Sequence, residues 1–212
     1  MKAGAFVAVI IMGNLLRRAG FFKEEDFYVL SKIVLKITLP AAIISNFSGI
    51  DLKPSMLVMT LLGFGGGILY ITMAFFMSIG KEREERAFNV LNLPGYNIGN
   101  FTMPFAQSFL GPVGVVATSL FDTGNAFVCL GGAYSVAVVT KEKNARFSLL
   151  PVVKTLLKSL PFDAYLIMTV LSFLHVALPA PITSFTGVIG NANAFMAMLM
   201  IGVGFKLNGD SS

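Results

Sequence analysis

The middle of the chain contains the segment Asn92-Leu93-Pro94-Gly95-Tyr96-Asn97-Ile98-Gly99-Asn100-Phe101-Thr102-Met103-Pro104. Its prolines and glycines disfavour a continuous helix, because proline cannot donate a backbone hydrogen bond and glycine is costly in a helix interior. The flanking residues nevertheless form a long apolar block of the kind that crosses a bilayer. Irregular backbone at membrane depth survives only where it is buried in protein or lines a wet cavity. We therefore predict a broken membrane helix whose freed backbone groups can bind a ligand, with an ordinary proline kink as the alternative.

The composition is that of an integral membrane protein. Of the 212 residues, 55% are hydrophobic and 13% are charged, whereas roughly a quarter of the residues of a soluble domain are charged. The hydrophobic residues come in blocks of roughly 17 to 25, the length that a helix needs to cross a bilayer. We predict an all-α membrane protein of about seven transmembrane helices, because a barrel would alternate in hydrophobicity. The predicted spans are 3–21, 29–50, 55–79, 87–110, 113–140, 160–179 and 183–206.

The basic residues predict the orientation of these spans. Lysine and arginine cluster after the first, third and fifth spans, and the intervening loops hold only Lys53. Because cytoplasmic loops carry an excess of Lys and Arg, the loops near Lys81 and Lys141 are predicted inside, and the N-terminus and the short turns at Gly111 and Pro179 outside. We expect a multi-pass protein in the lipid bilayer of the plasma membrane, the inner membrane of a bacterium. The net charge of +5 does not indicate nucleic-acid binding, because the basic residues form no continuous stripe.

The positions of the helix-breaking residues suggest an internal repeat. The second span is interrupted at Pro40, and the seventh is interrupted at nearly the same relative position by the polar run from Asn191 to Asn193. A repeat of five spans inserts its second copy with opposite orientation, as in many secondary transporters. We predict a first five-helix repeat at 1–140, a cytoplasmic linker at 141–159, and the first two helices of an inverted second repeat at 160–212, where the chain stops.

Counting along the helices places the polar residues of four spans at one depth. With a rise of ~1.5 Å per residue, Asn97 in span four lies roughly 15 Å from the inner surface, and Asp122 in span five roughly 14 Å from the outer one. Both depths are close to the bilayer midplane, where secondary transporters bind their substrates. The substrate-binding candidates are Asn97, Gly99, Asn100, Thr102 and Pro104, and the weaker candidates at the same depth are Thr38, Pro40, Asn191 and Asn193.

Asp122 is the only acidic residue well inside a predicted span. A carboxylate at that depth is costly and is by default a functional candidate. Thr118 and Asn125 lie at helical neighbour spacing from it and give span five one polar face. Asp122 therefore either binds a coupling ion, a proton or sodium, or supports the broken span four by hydrogen bonds. Cys129 on the same face is predicted to be a packing residue.

Other functional classes find little support in the sequence. A single histidine, His175, and a single cysteine cannot build a zinc site or a Cys–His pair, so we predict no metal, no cofactor and no enzyme. A light-driven pump needs a buried lysine in its last span, whereas Lys206 lies at the membrane edge. The glycines of span three, from Gly63 to Gly67, are predicted to let helices pack closely. An ion channel and a seven-helix receptor-like membrane protein stay open as alternatives to a carrier.

Three motifs stand out along the chain. They are Gly13-Asn14-Leu15-Leu16-Arg17-Arg18-Ala19-Gly20-Phe21 followed by Leu39-Pro40-Ala41, then Asn97-Ile98-Gly99-Asn100-Phe101 with Met103-Pro104, and finally Ile201-Gly202-Val203-Gly204-Phe205-Lys206-Leu207. Together they resemble the auxin efflux carrier family, within the bile/arsenite/riboflavin transporter superfamily. The order and spacing of the motifs extend the resemblance over essentially the whole chain.

The resemblance implies a ten-helix fold of two inverted five-helix repeats. In each repeat the first two helices form a scaffold and the other three form a mobile core, in which the fourth helix is broken. The family further implies a secondary active transporter that moves a small organic anion, a carboxylate such as malate or an auxin-like acid, by alternating access. The broken helix maps onto residues 97–104 here, helices eight to ten would follow residue 212, and a homodimer would form through the scaffold helices.

Overall fold

The computed structural model describes residues 2–141 and 150–205. These residues form helices joined by short connections, and no strand occurs among them. Part of the predicted linker, 142–149, and the predicted C-terminal segment from Lys206 onward lie outside the described residues. In chain order the helices are α1 (Lys2–Arg18), α2 (Asp26–Phe47), α3 (Pro54–Met77), α4 (Arg83–Asn92), α5 (Ile98–Lys141), α6 (Leu150–Leu156), α7 (Leu160–Phe173), α8 (Ala180–Asn191) and α9 (Asn193–Gly204).

Four helical stretches are long and apolar enough to cross a membrane. They are α2 with 22 residues, α3 with 24, α5 with 44, and α8 together with α9 with 25. The helix α7 is apolar but has only 14 residues, and α1 has 17. The all-α prediction is confirmed for the described residues, and the four long stretches are compatible with membrane insertion.

The longest helix, α5, is interrupted at Gly111. The backbone there has φ 63° and ψ −157°, a conformation that glycine adopts readily because it has no Cβ. Pro112 follows and cannot donate the backbone hydrogen bond that would continue the helix. The interruption lies where the sequence predicts the turn between spans four and five.

Two of the predicted spans end earlier in the structure than the sequence indicates. The sequence places the end of span six near residue 179, but α7 ends at Phe173. Residues 174–179 form a connection in which His175 has φ 53°, a left-handed conformation that ends a helix. The first span is also shorter than predicted, because α1 ends at Arg18.

Contacts divide the described residues into two compact units, each held together by its own helix packing. One boundary falls in the break before α5, and another falls within α5 shortly after Gly111. The first unit contains α1, α2, α8 and α9, and the second contains α3, α4, α6 and α7. The described part of the first unit is 2–50, 98–116 and 176–205, and that of the second is 51–97, 117–141 and 150–175.

In the first unit, α1 packs along α9 with the two backbones close together. A Cβ on Gly13 would lie 3.1 Å from the Gly202 Cα, and a Cβ on Gly202 would collide with the Ile10 carbonyl oxygen. Asn14 donates a hydrogen bond from Nδ2 to the Phe205 carbonyl oxygen at 2.8 Å, which satisfies a carbonyl group just beyond the end of α9. The first and last of the three sequence motifs thus pack against each other.

The same unit contains a second close helix pair, α2 and α8. A Cβ on Gly190 of α8 would lie 2.7 Å from the Ala42 Cα of α2. Helix α2 changes to π-helical bonding at Val34–Thr38, shortly before Pro40, whose ring would clash with the carbonyl group four residues earlier in a regular α-helix. Thr38 lies at the end of this wide turn and is buried.

In the second unit, α3 crosses the later part of α5 through glycines on both helices. A Cβ on Gly63 would collide with the Phe121 carbonyl oxygen, and one on Gly124 would collide with the Thr60 carbonyl oxygen. Gly67 also faces a valine side chain of α5, which a Cβ would approach to 2.8 Å. The prediction that glycines of span three allow close packing is therefore confirmed at Gly63 and Gly67.

Small residues also form a core at one end of the second unit. Ala74 of α3, Ala87 and Val90 of α4, and Ala137 of α5 pack together and are buried. The short helix α6 packs against α5, with Val152 against a glycine of that helix. Val90 is fully buried in this core, two residues before α4 ends at Asn92.

Candidate functional site

The predicted break in span four is present. Helix α4 ends at Asn92, and helical bonding resumes at Ile98 with a π-helical turn of five residues. Pro94 disfavours helix in the residue before it. Pro104 cannot donate to the carbonyl group of Asn100, four residues earlier. The segment therefore leaves backbone groups without regular helical partners, as a ligand-binding break requires.

In the first unit, a buried hydrogen bond joins α2 to α9. The Thr38 hydroxyl donates to Asn193 Oδ1 at 3.0 Å, and both side chains are buried. Asn193 is the first residue of α9, after an interruption at Ala192. The sequence predicts this interruption and places Thr38 and Asn193 at one depth, and the structure brings their side chains into contact.

Three buried amide atoms in the first unit have no hydrogen-bond partner among the described residues. They are Asn193 Nδ2, Asn100 Oδ1 and Gln107 Oε1. Asn193 is completely buried, and Gln107 uses its other amide end to donate to the Gly190 carbonyl oxygen at 3.3 Å. A buried polar atom without a partner costs about 1 to 3 kcal/mol. We therefore expect an ordered water or a ligand to bind these atoms.

The segments that carry these amides pack against one another. The π-helical turn Ile98–Thr102 contacts both α9 and the π-helical turn of α2. Gly99 allows this approach, because a Cβ there would lie 3.0 Å from Leu39 Cδ2. Asn100 belongs to this π-helical turn and Asn193 is the first residue of α9, so the two amides lie in segments that pack against each other.

The second unit holds its own polar cluster around Asp122. Asp122 Oδ1 accepts a hydrogen bond from Asn125 Nδ2 at 3.2 Å, and Oδ2 accepts one from the Tyr165 hydroxyl at 3.1 Å. Asn125 and Tyr165 are both 2% exposed. No Lys or Arg in the described part of the chain forms an ion pair with Asp122. Two uncharged donors therefore hold the carboxyl group.

A thiol links this cluster to the helix break. Cys129 Sγ lies 2.7 Å from the Pro94 carbonyl oxygen and 2.9 Å from Asn125 Oδ1. A thiol carries one hydrogen, so it donates to one of these oxygens at a time. Cys129 belongs to a further π-helical turn of α5, Val128–Gly132. The predicted packing role of Cys129 is incomplete, because the side chain also bonds the freed backbone of the break.

The other site residues predicted from the sequence differ in their exposure to solvent. Asn97, Thr102 and Asn191 are exposed, and Thr118 is half-buried. These four side chains form none of the hydrogen bonds of the two clusters. Among the candidates, four lie in packed segments of the first unit: Thr38, Gly99, Asn100 and Asn193. In the second unit, Asp122 lies beside Asn125. Pro40 and Pro104 each follow a π-helical turn of the first unit.

Two polar residues of the clusters were missed by the sequence reasoning. Tyr165 lies in the apolar helix α7, and Gln107 lies in the apolar second half of span four. A tyrosine hydroxyl or a side-chain amide buried in an apolar helix needs a hydrogen-bond partner. That rule, applied to every polar residue inside a span, points to both side chains.

No family model, no curated protein and no solved structure matches this chain. Its function is therefore argued from the helix breaks and from the two polar clusters. The first cluster offers unpaired amide groups to a ligand. In the second, hydrogen bonds join Tyr165, Asp122 and Asn125, and the Cys129 thiol donates either to Asn125 or to the Pro94 carbonyl oxygen.

Proposed function

We propose that this chain forms a secondary active transporter that moves a small organic anion across the plasma membrane by alternating access. The observation that carries the proposal is the set of unpaired amide atoms on Asn100, in the turn that follows the break in span four, and on Asn193, at the interruption before α9. Free N–H groups at helix starts, together with side-chain amides, can replace the hydration of a carboxylate without a buried cation. Discontinuous helices bind substrates in this way in many transporter folds.

The hydrogen-bonding character of the amides narrows the substrate class. Asn193 Nδ2 is a donor and suits a carboxylate oxygen, whereas Asn100 Oδ1 and Gln107 Oε1 are acceptors and suit a donor on the same substrate. A hydroxy acid such as malate carries both kinds of group, and so does an auxin-like acid with a ring N–H. We favour such a substrate over a simple monocarboxylate.

We further propose seven membrane crossings with the N-terminus outside. A straight helix of 44 residues is about 66 Å long, more than twice the ~30 Å hydrocarbon core, so the interruption of α5 at Gly111 supports two crossings there. The basic residues Lys81, just before α4, and Arg83 and Arg86, in its first turn, belong on the cytoplasmic side. Local bilayer thinning and flanking side chains accommodate the short helices α1 and α7.

Asp122 has two candidate roles, and its contacts favour the structural one. The carboxyl group accepts from Asn125 and Tyr165, and Cys129, beside Asn125, can donate its thiol hydrogen to the Pro94 carbonyl oxygen. These bonds support the irregular backbone of the break. Coupling of transport to a proton or to sodium is the alternative role, which a buried carboxylate in a membrane helix also fits.

The broken fourth helix and the pairing of α1 with α9 support an organisation similar to that of the auxin efflux carrier family. In this proposal α1 and α2 are scaffold helices, and α8 and α9 form a scaffold helix of an inverted second repeat. All of them lie in the first unit, whereas α7 lies in the second unit, where it packs against α5 and α6. A homodimer through the scaffold helices is part of the same proposal.

Uptake into proteoliposomes tests the proposal. The protein, expressed with any coding sequence that follows residue 212, is reconstituted and supplied with radiolabelled malate. A carrier gives saturable uptake that unlabelled malate on the opposite side accelerates, whereas a channel gives flux without this exchange. If neither malate nor any other small carboxylate shows saturable uptake, the proposal is wrong.

A further inference from the structure

The second unit contains a pocket of about 390 Å³ between the end of α3 and α4. Its apolar wall consists of Ala74, Met77 and Leu93. Met77 and Leu93 are 71% and 45% exposed, so this wall continues onto the outer surface of the unit. Its polar wall consists of Ser78, Lys81, Asn89 and Asn92.

The Ser78 hydroxyl and one N–H of each amide in the polar wall are already used within the protein. Ser78 Oγ donates to the Ala74 carbonyl oxygen at 2.7 Å and accepts from Asn89 Nδ2 at 2.9 Å. Asn92 Nδ2 donates to the Phe88 carbonyl oxygen at 2.8 Å. The Oδ1 atoms of Asn89 and Asn92 receive no hydrogen bond from any described residue. The pocket thus presents two acceptors to an occupant.

Lys81 supplies the positive charge of the pocket. Its ammonium group forms an ion pair with Glu85, and the two side chains are 44% and 51% exposed. Arg86 does not line the pocket, because its Nε donates to the Ser78 carbonyl oxygen and its guanidinium lies 5.1 Å from the centre of the Phe75 ring. Exposed ion pairs contribute little free energy. Lys81 can therefore exchange Glu85 for an anionic group in the pocket.

The pocket lies where α3 ends and the charged loop begins. In the proposed topology this is the cytoplasmic boundary of the bilayer, with Lys81 at the level of the lipid headgroups. The apolar wall then faces the acyl chains and the polar wall faces the headgroups. Pockets with basic residues between membrane helices on the cytoplasmic side bind lipid headgroups.

We propose that this pocket binds a phospholipid whose headgroup carries a primary ammonium group. The phosphate contacts Lys81, and the ammonium group donates to the Oδ1 atoms of Asn89 and Asn92. A primary ammonium brings three N–H donors to these acceptors, whereas the quaternary ammonium of choline brings none. A purely anionic headgroup places no cation beside the amide oxygens. The inference rests on the proposed orientation in the membrane, but it is independent of the transported substrate.

Native mass spectrometry of the delipidated protein tests the inference. The protein is offered equimolar phosphatidylethanolamine, phosphatidylcholine and phosphatidylglycerol with identical acyl chains. We expect phosphatidylethanolamine to be retained over phosphatidylcholine by about tenfold, because a hydrogen bond from a charged donor is worth at least that ratio. Equal retention of these two lipids, or a preference for phosphatidylglycerol, would overturn the proposal.

Variants locate the effect in this pocket. Asn92→Leu removes one acceptor and should abolish most of the preference, whereas Asn92→Asp keeps the acceptor oxygens and should preserve it. Lys154→Gln changes an exposed lysine outside the pocket and serves as the matched control. Circular dichroism and size-exclusion chromatography check that each variant is folded. Lys81→Gln removes the contact to the phosphate that all three lipids share, so it should lower the retention of each of them. An unchanged preference in Asn92→Leu, or undiminished retention of all three lipids in Lys81→Gln, rejects this site, and neither readout depends on whether the protein transports a carboxylate.

Discussion

The hydrogen bond between Tyr165 and Asp122 allows the two proposed roles of the carboxyl group to be separated. Tyr165→Phe keeps the aromatic ring and removes the hydroxyl group that donates to Asp122 Oδ2 at 3.1 Å. A hydrogen bond to a charged group contributes about 1.5 to 3 kcal/mol. Because Tyr165 is 2% exposed, bulk water does not replace the lost donor. We expect the substitution to lower the free energy of unfolding by about 2 kcal/mol.

A double-mutant cycle with Asp122→Ala, which removes both acceptor oxygens, assigns this loss to the contact. If the hydroxyl and the carboxyl group stabilise each other, the two substitutions together cost less than their sum, with a coupling of about 1 to 2 kcal/mol. Unfolding in mixed detergent micelles, followed by far-ultraviolet circular dichroism, measures each variant. Tyr134→Phe is the matched control, because Tyr134 is 56% exposed in the same unit. A coupling indistinguishable from zero would refute the structural role.

Transport by the Asp122→Asn variant tests the alternative role. If Asp122 only supports the break, Asp122→Asn keeps most of the activity, because asparagine has the same shape and retains one acceptor oxygen. If Asp122 carries a proton or sodium, the substitution abolishes accumulation driven by an ion gradient and leaves exchange intact. Comparing gradient-driven uptake with counterflow in one preparation of proteoliposomes decides between these outcomes.

Two further predictions concern packing and topology. Gly202→Leu is expected to destabilise the protein by about 1 to 3 kcal/mol, because its Cβ would collide with a backbone carbonyl group of α1. Gly187→Leu is the control and should be tolerated, because nothing lies within 4 Å of a Cβ at Gly187. Equal losses of thermal stability in both variants would contradict the packing argument. In a Cys129→Ala background, an impermeant thiol reagent applied to intact cells should label a cysteine at Gly111 but not one at Lys143. The opposite pattern reverses the proposed orientation.

The helix breaks were predictable because their causes are local. Pro94 and Pro104 exclude regular helical bonding through the segment between them, whatever its surroundings. The interruption of α5 follows from Gly111 and Pro112, and the one before Asn193 coincides with a run of polar residues. Each of these signals lies within a few residues of the break itself, so no knowledge of neighbouring helices is needed.

The partners within the site were not predictable to the same extent, because tertiary packing selects them. Counting along the helices placed Thr38 and Asn193 at one depth, but their hydrogen bond depends on how α2 and α9 pack. Spacing on α5 correctly related Asp122 to Asn125. The second donor, Tyr165, comes from another helix, and no spacing rule within one helix reveals it. The π-helical turns were missed for a similar reason, since their extra residue has no simple sequence signature.

Binding of the transported acid to amide variants tests the central claim most directly. Asn100→Ala and Asn193→Ala each remove an amide that is buried without a full set of partners. Each should weaken the binding of radiolabelled malate, or of whichever organic acid is transported, by about ten- to a hundredfold. Asn46→Ala is the control, because Asn46 donates to the Ala42 carbonyl oxygen of its own helix and should leave affinity unchanged. Unchanged affinity in both folded site variants would contradict the assignment of the substrate site to these helix breaks.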